Sequence, residues 1–244
     1  MNNSNNSQLK KTLFVVFLFA LSMGLMESSV VIYLRELYYP DGFKFPIKMI
    51  PPKISIVEIY RELATLIMLF GVGYLTGKTK LERFAYFFFA FAIWDLAYYL
   101  FLYVFIAWPE SLFTWDLLFL IPFPWTGPVW SPVLISILMI FFAIIILKKS
   151  ELNSNLKIHL KWWVLLITGS IICIYSFLWD YLQLSNSSLN MFEIISSPEK
   201  SDFLNSYIPQ KFNTLLFFIG FILMLIAVLA QIINPKKQTK NEKK

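Results

Sequence analysis

Glu58, Arg61 and Glu62 are three charged residues within an otherwise apolar stretch, 55–76, that has the length of a membrane-spanning helix. Spacings of three and four place their side chains on one face of a helix. Each charge costs about 2.5–3.5 kcal/mol at the centre of a bilayer on insertion scales, so such residues are rarely accidental. Carboxylates there can bind protons or hard cations, and an arginine can bind a phosphate or carboxylate group. The triplet therefore predicts an intramembrane polar site.

Further carboxylates lie in or beside other apolar segments. Glu27 and Asp95 are deep in their segments, Asp116 lies in a connection, and Asp180 lies near the end of an apolar segment, where it is expected to be peripheral and solvated. The predicted site comprises Glu27, Glu58, Arg61, Glu62, Asp95 and Asp116.

Charge balance gives two interpretations of this set. Four deep acids, Glu27, Glu58, Glu62 and Asp95, accompany a single deep base, Arg61. A dry bundle would not hold that excess, so protonated carboxyls, a bound cation or a water-filled cleft is expected. The structural alternative is that Arg61 only neutralises Glu58 or Glu62 and fixes the packing of two helices. The sequence favours the first interpretation only slightly.

The elements that must position these residues are long apolar helices. The chain has 244 residues, of which 58% are hydrophobic, and a soluble domain reaches about 45–50%. Continuous apolar runs predict an all-α, polytopic helical membrane protein. The six predicted spans are 11–34, 55–76, 83–107, 128–147, 161–182 and 213–233.

The basic residues predict the orientation. Most of the 21 Lys and Arg residues lie in the N-terminal tail, in two turns and in the C-terminal tail, all on one side of six spans. The smaller group on the other side includes Arg35 and Lys48. The bias predicts a multi-pass protein of the cell membrane with both termini cytoplasmic. Residues 1–10 and 235–244 are predicted to be disordered cytoplasmic tails, the second one basic, around a single membrane domain, 11–234.

The connection between the third and fourth spans, 108–132, is apolar, has no Lys or Arg and carries five prolines. It is too apolar for a solvated loop, and Pro122 and Pro124 cannot extend a helix that begins near Ser111. We predict a short re-entrant or interfacial helix followed by a proline-rich turn. Its functional interpretation is a lid over the acidic site, with Asp116 pointing inward, and its structural interpretation is an anchor at the interface.

The sequence offers few residues for metal, nucleic-acid or cofactor binding. The single cysteine, Cys173, and the single histidine, His159, form no metal-binding pattern, so no metal site is predicted. The net charge of +6 arises from residues that flank the spans, which indicates topology and anionic lipid rather than nucleic acid. The residues indicate no particular cofactor.

The sequence leaves three function classes open. The first is proton- or cation-linked transport through the outward-facing carboxylate and arginine site. The second is an intramembrane enzyme that acts on a lipid or lipid-linked substrate, with Arg61 on its head group. The third is a non-catalytic subunit whose charges pair with a partner protein. The expected partners are the bilayer and a proton, a hard cation or a lipid head group, and an oligomer is compatible with the small size.

Overall fold

The computed structural model describes residues 2–46, 48, 50–119, 124–153, 156–184 and 207–233. Within these residues, six helices and one β-hairpin follow each other along the chain. They are α1 (Asn2–Tyr38), α2 (Pro52–Thr76), α3 (Lys80–Ile106), β1 (Trp115–Phe119), β2 (Trp125–Pro128), α4 (Trp130–Leu152), α5 (Leu160–Leu184) and α6 (Thr214–Ile233). The prediction of an all-α, helical protein is confirmed, with the hairpin as an addition to it.

Five of these helices, all except α2, are long and apolar enough to cross a membrane. The chain is therefore compatible with a multi-pass membrane protein. The predicted second span corresponds to α2, whose 25 residues include the charged triplet. The helix bounds lie near the predicted ones, although α1 begins at Asn2 and so includes part of the predicted N-terminal tail. The predicted C-terminal tail, 235–244, lies outside the described residues.

Local sequence explains where the central helix, α3, begins and ends. The Thr79 hydroxyl accepts a hydrogen bond from the backbone N–H of Glu82, and the Glu82 carboxylate accepts one from the backbone N–H of Thr79. This reciprocal pair satisfies two N–H groups that the first helical turn leaves free. At the other end, Ala107 adopts the left-handed conformation, with φ of 51°, and Pro109 cannot continue a helix.

The connection between α3 and α4 differs from the predicted re-entrant helix. Residues 115–119 and 125–128 form an antiparallel β-hairpin in which Asp116 pairs with Gly127 and Trp115 with Pro128. The expected helix from Ser111 was wrong because this short apolar stretch pairs its backbone groups across two strands. A run of about five apolar residues does not distinguish a strand from a buried helical turn.

The helices pack around α3 and α4. Helices α1, α2 and α4 all pack on α3, while α5 and α6 pack closely on each other and α6 also packs on α4. A Cβ atom at Gly169 would lie 2.6 Å from the carbonyl oxygen of Gly220, so glycine is needed for this close approach of α5 and α6. Helices α2 and α5 have no extensive contact with each other. Helices α2 and α5 thus do not form a closely packed pair in this bundle.

Candidate functional site

A cavity of about 490 Å³ lies inside the bundle. All six helices and both strands contribute lining residues, and every member of the predicted site is among them: Glu27, Glu58, Arg61, Glu62, Asp95 and Asp116. The cavity begins where α1 ends, α2 begins and the β-hairpin lies, here called the hairpin end. The rest of its wall is mainly aromatic and aliphatic, and includes Phe88, Phe91, Met139 and Met224. The structure therefore brings the predicted residues together around one space.

Arg61 lies between two carboxylates. Its Nε donates to Oε2 of Glu58, one helical turn earlier, at 2.7 Å, and its Nη1 donates to Oε1 of Glu27 on α1. The Thr65 hydroxyl lies 3.4 Å from the second oxygen of Glu27. The side chain of Arg61 is 21% exposed, that of Glu27 is 11% exposed and that of Glu58 is 8% exposed. This cluster of Glu27, Glu58, Arg61 and Thr65, here called the Arg61 cluster, links α1 to α2 and carries more acids than bases.

Asp116 forms a second cluster at the hairpin end. Its Oδ1 lies 3.5 Å from Nη2 of Arg35, and its Oδ2 accepts a hydrogen bond from the Tyr99 hydroxyl at 3.2 Å. The side chains of Arg35 and Asp116 are 9% and 2% exposed. Burial raises the pKa of Asp116 to about 6, although the Arg35 charge, the backbone N–H of Leu117 and the Tyr99 hydroxyl all oppose that rise.

Aromatic rings hold the Arg35 guanidinium in place. Its Cζ lies 3.8 Å from the centre of the Trp108 ring and 4.5 Å from the centre of the Phe43 ring. A guanidinium on an aromatic face is attracted by the ring quadrupole, by about 2 kcal/mol where water is excluded. Together with Tyr99 and Asp116, these residues are here called the Arg35 cluster.

Arg35 is not among the site residues that the sequence predicts, because the charge pattern assigns it to the smaller group of basic residues on the outer side. One signal was available, because Arg35 follows Glu27 by eight residues and positions i and i+8 lie near one helix face. The two side chains are therefore about 12 Å apart along α1 and line the same cavity. The aromatic partners, Phe43 and Trp108, come from separate segments, which no spacing along the sequence could indicate.

Asp95 occupies the middle of α3 and faces the cavity. The Ser136 hydroxyl on α4 donates to its Oδ2 at 2.8 Å. Within the described part of the chain, no lysine or arginine forms an ion pair with Asp95. Asp95 is thus an acid in the cavity wall whose hydrogen-bonding partner is a neutral hydroxyl. It is suited to exchanging a proton or to accepting a hydrogen bond from a bound molecule.

Asp180, which was expected to be peripheral, does not line the cavity. It accepts hydrogen bonds from the Tyr207 hydroxyl at 3.0 Å and from the backbone N–H groups of Gln210 and Lys211 at 3.1 and 2.9 Å. Tyr207 also contacts the Thr126 hydroxyl of β2 at 3.0 Å. Asp180 is buried rather than solvated, and it ties the segment before α6 to the end of α5 and to the hairpin.

Three buried hydrogen-bond donors in the cavity wall have no partner among the described residues. They are Nη1 of Arg35, Nε1 of Trp94 and Nε1 of Trp125. Buried donors are normally paired, so an unpaired one needs an explanation such as a missing ligand. Among the same described residues, no group of three or more His, Cys, Asp or Glu side chains is arranged to hold a metal ion.

The chain matches no protein-family model, no curated protein and no solved structure. The kind of molecule that the cavity could bind is therefore inferred from the arrangement of its residues. A mainly apolar space with charged groups at its hairpin end and along its α1–α2 side can hold a molecule that is itself part polar and part apolar.

Proposed function

We propose that this protein is a six-span membrane protein that binds a lipid or a lipid-linked molecule inside its helix bundle. In this proposal α2 is also a span, since its 25 residues measure about 37 Å and a bilayer core is about 30 Å thick. Both termini are cytoplasmic and the hairpin end faces outward, as the distribution of Lys and Arg predicts. The protein is placed in the cell membrane on the same ground.

One observation carries the proposal: the charged clusters and the aromatic wall line the same cavity. Its volume of about 490 Å³ lies in the lower half of the range of about 300–1,000 Å³ that holds drug-sized ligands. Such a space suits one hydrocarbon chain or one ring system with a small head group. Apolar surface buried there contributes about 25 cal/mol per Å² to binding.

The contacts favour this function over cation transport. Glu27 and Glu58 are bound to Arg61, and Asp116 is bound to Arg35 and Tyr99. A cation would have to displace these partners before it could use the carboxylates. Since these three acids already have arginine partners within the chain, the contacts also favour this function over a subunit whose charges pair with another protein. Asp95 is the acid best placed for proton transfer to a bound lipid, which keeps the enzyme alternative consistent with the same cavity.

The proposal is tested by native mass spectrometry of the full-length protein purified in lipid nanodiscs. We expect the wild-type protein to carry an amphiphile that survives transfer into the gas phase. Met139→Trp enlarges a side chain of the cavity wall and should reduce the fraction of protein that carries it by at least several-fold.

The matched control is Met68→Trp. Met68 is 49% exposed and does not line the cavity, so the same change in volume there should leave the bound fraction unaltered. A wild-type protein that carries no amphiphile, or equal loss in both variants, would overturn the proposal.

A further inference from the structure

Arg35 is a buried cation with few partners among the described residues. A guanidinium has five N–H donors, and the described contact of Arg35 to a carboxylate is a single one of 3.5 Å, while its Nη1 has no partner among the described residues. A charge-assisted N–H···O bond is normally about 2.7–2.9 Å long, so the pair with Asp116 is loose. A buried charge that is not well paired is costly. The site around Arg35 is therefore incomplete within the described chain.

Arg61 lines the same cavity, and its guanidinium has two carboxylate partners. Two of its nitrogens donate to two different carboxylates, Glu58 and Glu27. An anion that approached Arg61 would meet these acids first. An anion that approached Arg35 would instead meet one carboxylate, Asp116, at 3.5 Å from the guanidinium and, on the cavity wall at the same end, the basic residue Lys48. Electrostatics thus favours Arg35 over Arg61 as the place for an anion.

The buried N–H donors without a partner in the described chain also favour a ligand that supplies acceptor atoms. The buried side-chain atoms without a partner in the described chain are Arg35 Nη1, Trp94 Nε1 and Trp125 Nε1, all of which are donors. A ligand that supplied only donors would leave them unsatisfied. A head group rich in acceptor oxygens could satisfy the guanidinium directly, and oxygens nearer its chain could reach the indole N–H groups.

We propose that the cavity binds a single-chain amphiphile with an anionic oxygen head group, a phosphate or a carboxylate, held by Arg35 at the hairpin end. The chain then extends along the aromatic wall past Phe91 toward Met224. This inference rests on the proposed function and adds the charge and the position of the head group. The size of the cavity favours one chain over two.

The test measures binding of three single-chain amphiphiles to the full-length protein in phosphatidylcholine nanodiscs. Oleate supplies a carboxylate, farnesyl phosphate supplies a phosphate, and monoolein supplies a chain with an uncharged head group. Native mass spectrometry gives the dissociation constants, and the shift in the thermal unfolding midpoint gives an independent measure. We expect one or both anions to bind at least tenfold more tightly than monoolein.

The decisive variant is the double substitution Arg35→Gln with Asp116→Asn, which removes the ion pair without leaving a buried charge behind. We expect it to lose at least tenfold in affinity for the anions and to keep its affinity for monoolein. The matched control is Arg83→Gln. Arg83 also stacks on an aromatic ring, with its Cζ 4.0 Å from the Tyr74 ring centre, but it does not line the cavity.

The outcomes separate the two proposals. If monoolein binds as tightly as the anions, or if the double variant keeps full affinity for them, the inference about Arg35 is wrong while lipid binding stands. If none of the three amphiphiles binds the wild-type protein, both proposals fail. Tighter binding of oleate or of farnesyl phosphate identifies the carboxylate or the phosphate as the head group.

Discussion

Arg61 and Arg35 line one cavity, yet they differ in how their charges are compensated. Arg61 is held between Glu27 and Glu58, so its own cluster has an excess of negative charge. Arg35 faces one carboxylate at 3.5 Å and is held by Trp108 and Phe43, whose rings supply packing and a weak attraction. The first arrangement resembles a fixed link between two helices. The second leaves a cation that, in the function we propose, binds the anionic head group, so two arginines of one cavity are expected to have different roles.

Removing Arg61 should produce the largest effect on stability. Arg61→Gln would leave Glu27 and Glu58 buried without a cation, and breaking a buried pair in this way costs about 3–5 kcal/mol. We expect a clear fall in the thermal unfolding midpoint in nanodiscs, larger than the fall caused by Arg35→Gln. The control is the triple variant that also carries Glu27→Gln and Glu58→Gln, which should recover most of the loss. If Arg35→Gln is the more destabilising substitution, the comparison is reversed.

The second effect concerns pH and tests the Arg35 cluster. Burial raises the pKa of Asp116 from 3.8 to about 6, so between these values the folded protein binds more protons than the unfolded chain. The free energy of unfolding should therefore fall as pH rises from about 4 to about 6, by about 3 kcal/mol at most. We expect Asp116→Asn to remove this part of the pH dependence of the unfolding midpoint.

Other groups around Asp116 must be separated from this effect. Arg35 on α1 and Asp95, Tyr98 and Tyr99 on α3 all interact with Asp116 electrostatically. The pH dependence of the unfolding midpoint is therefore also compared between the Asp95→Asn protein and the double variant that adds Asp116→Asn. Parallel curves for the aspartate and asparagine proteins from pH 4 to 7, in both backgrounds, would show that the titration of Asp116 has no influence on folding.

We expect the smallest effect on stability from Thr65, at the edge of the Arg61 cluster. Thr65→Val keeps the shape of the side chain and removes a hydroxyl that lies 3.4 Å from Glu27. Hydrogen bonds between membrane helices contribute about 0.6 kcal/mol on average, and this one is long. We expect a loss of about 0.5 kcal/mol in the free energy of unfolding. A loss as large as that of Arg61→Gln would mean that Thr65, rather than the ion pairs, holds α1 to α2.

The sequence predicted the helices well because five of the six in the described chain are long apolar runs and α2 is apolar apart from a few charged residues. The predicted third span, 83–107, and the fifth, 161–182, lie within three residues of α3 and α5 at both ends. The hairpin could not be predicted, because residues 115–119 and 125–128 are segments of five and four residues, which is too short for a distinctive period. Its formation depends on backbone pairing between the two segments.

The candidate site was predictable in part for a similar physical reason. Glu58, Arg61 and Glu62 stand out because charge inside an apolar run is costly, and the same signal identified Glu27 and Asp95. Arg35 lies near the end of α1, where a charge costs little unless other segments cover it. Trp108 and Phe43 provide that cover, and their approach to Arg35 is a property of the tertiary structure.

Helices α2 and α5 do not pack extensively on each other, and this has a consequence for how a ligand could reach the cavity. Both helices line it, but neither packs extensively on the other, whereas α5 is held to α6 through Gly169 and Gly220. A molecule passing between α2 and α5 would not have to separate a closely packed helix pair. If the protein spans a membrane as proposed, a ligand that enters there comes from the surrounding bilayer, so occupancy would follow its mole fraction among the lipids rather than its concentration in water.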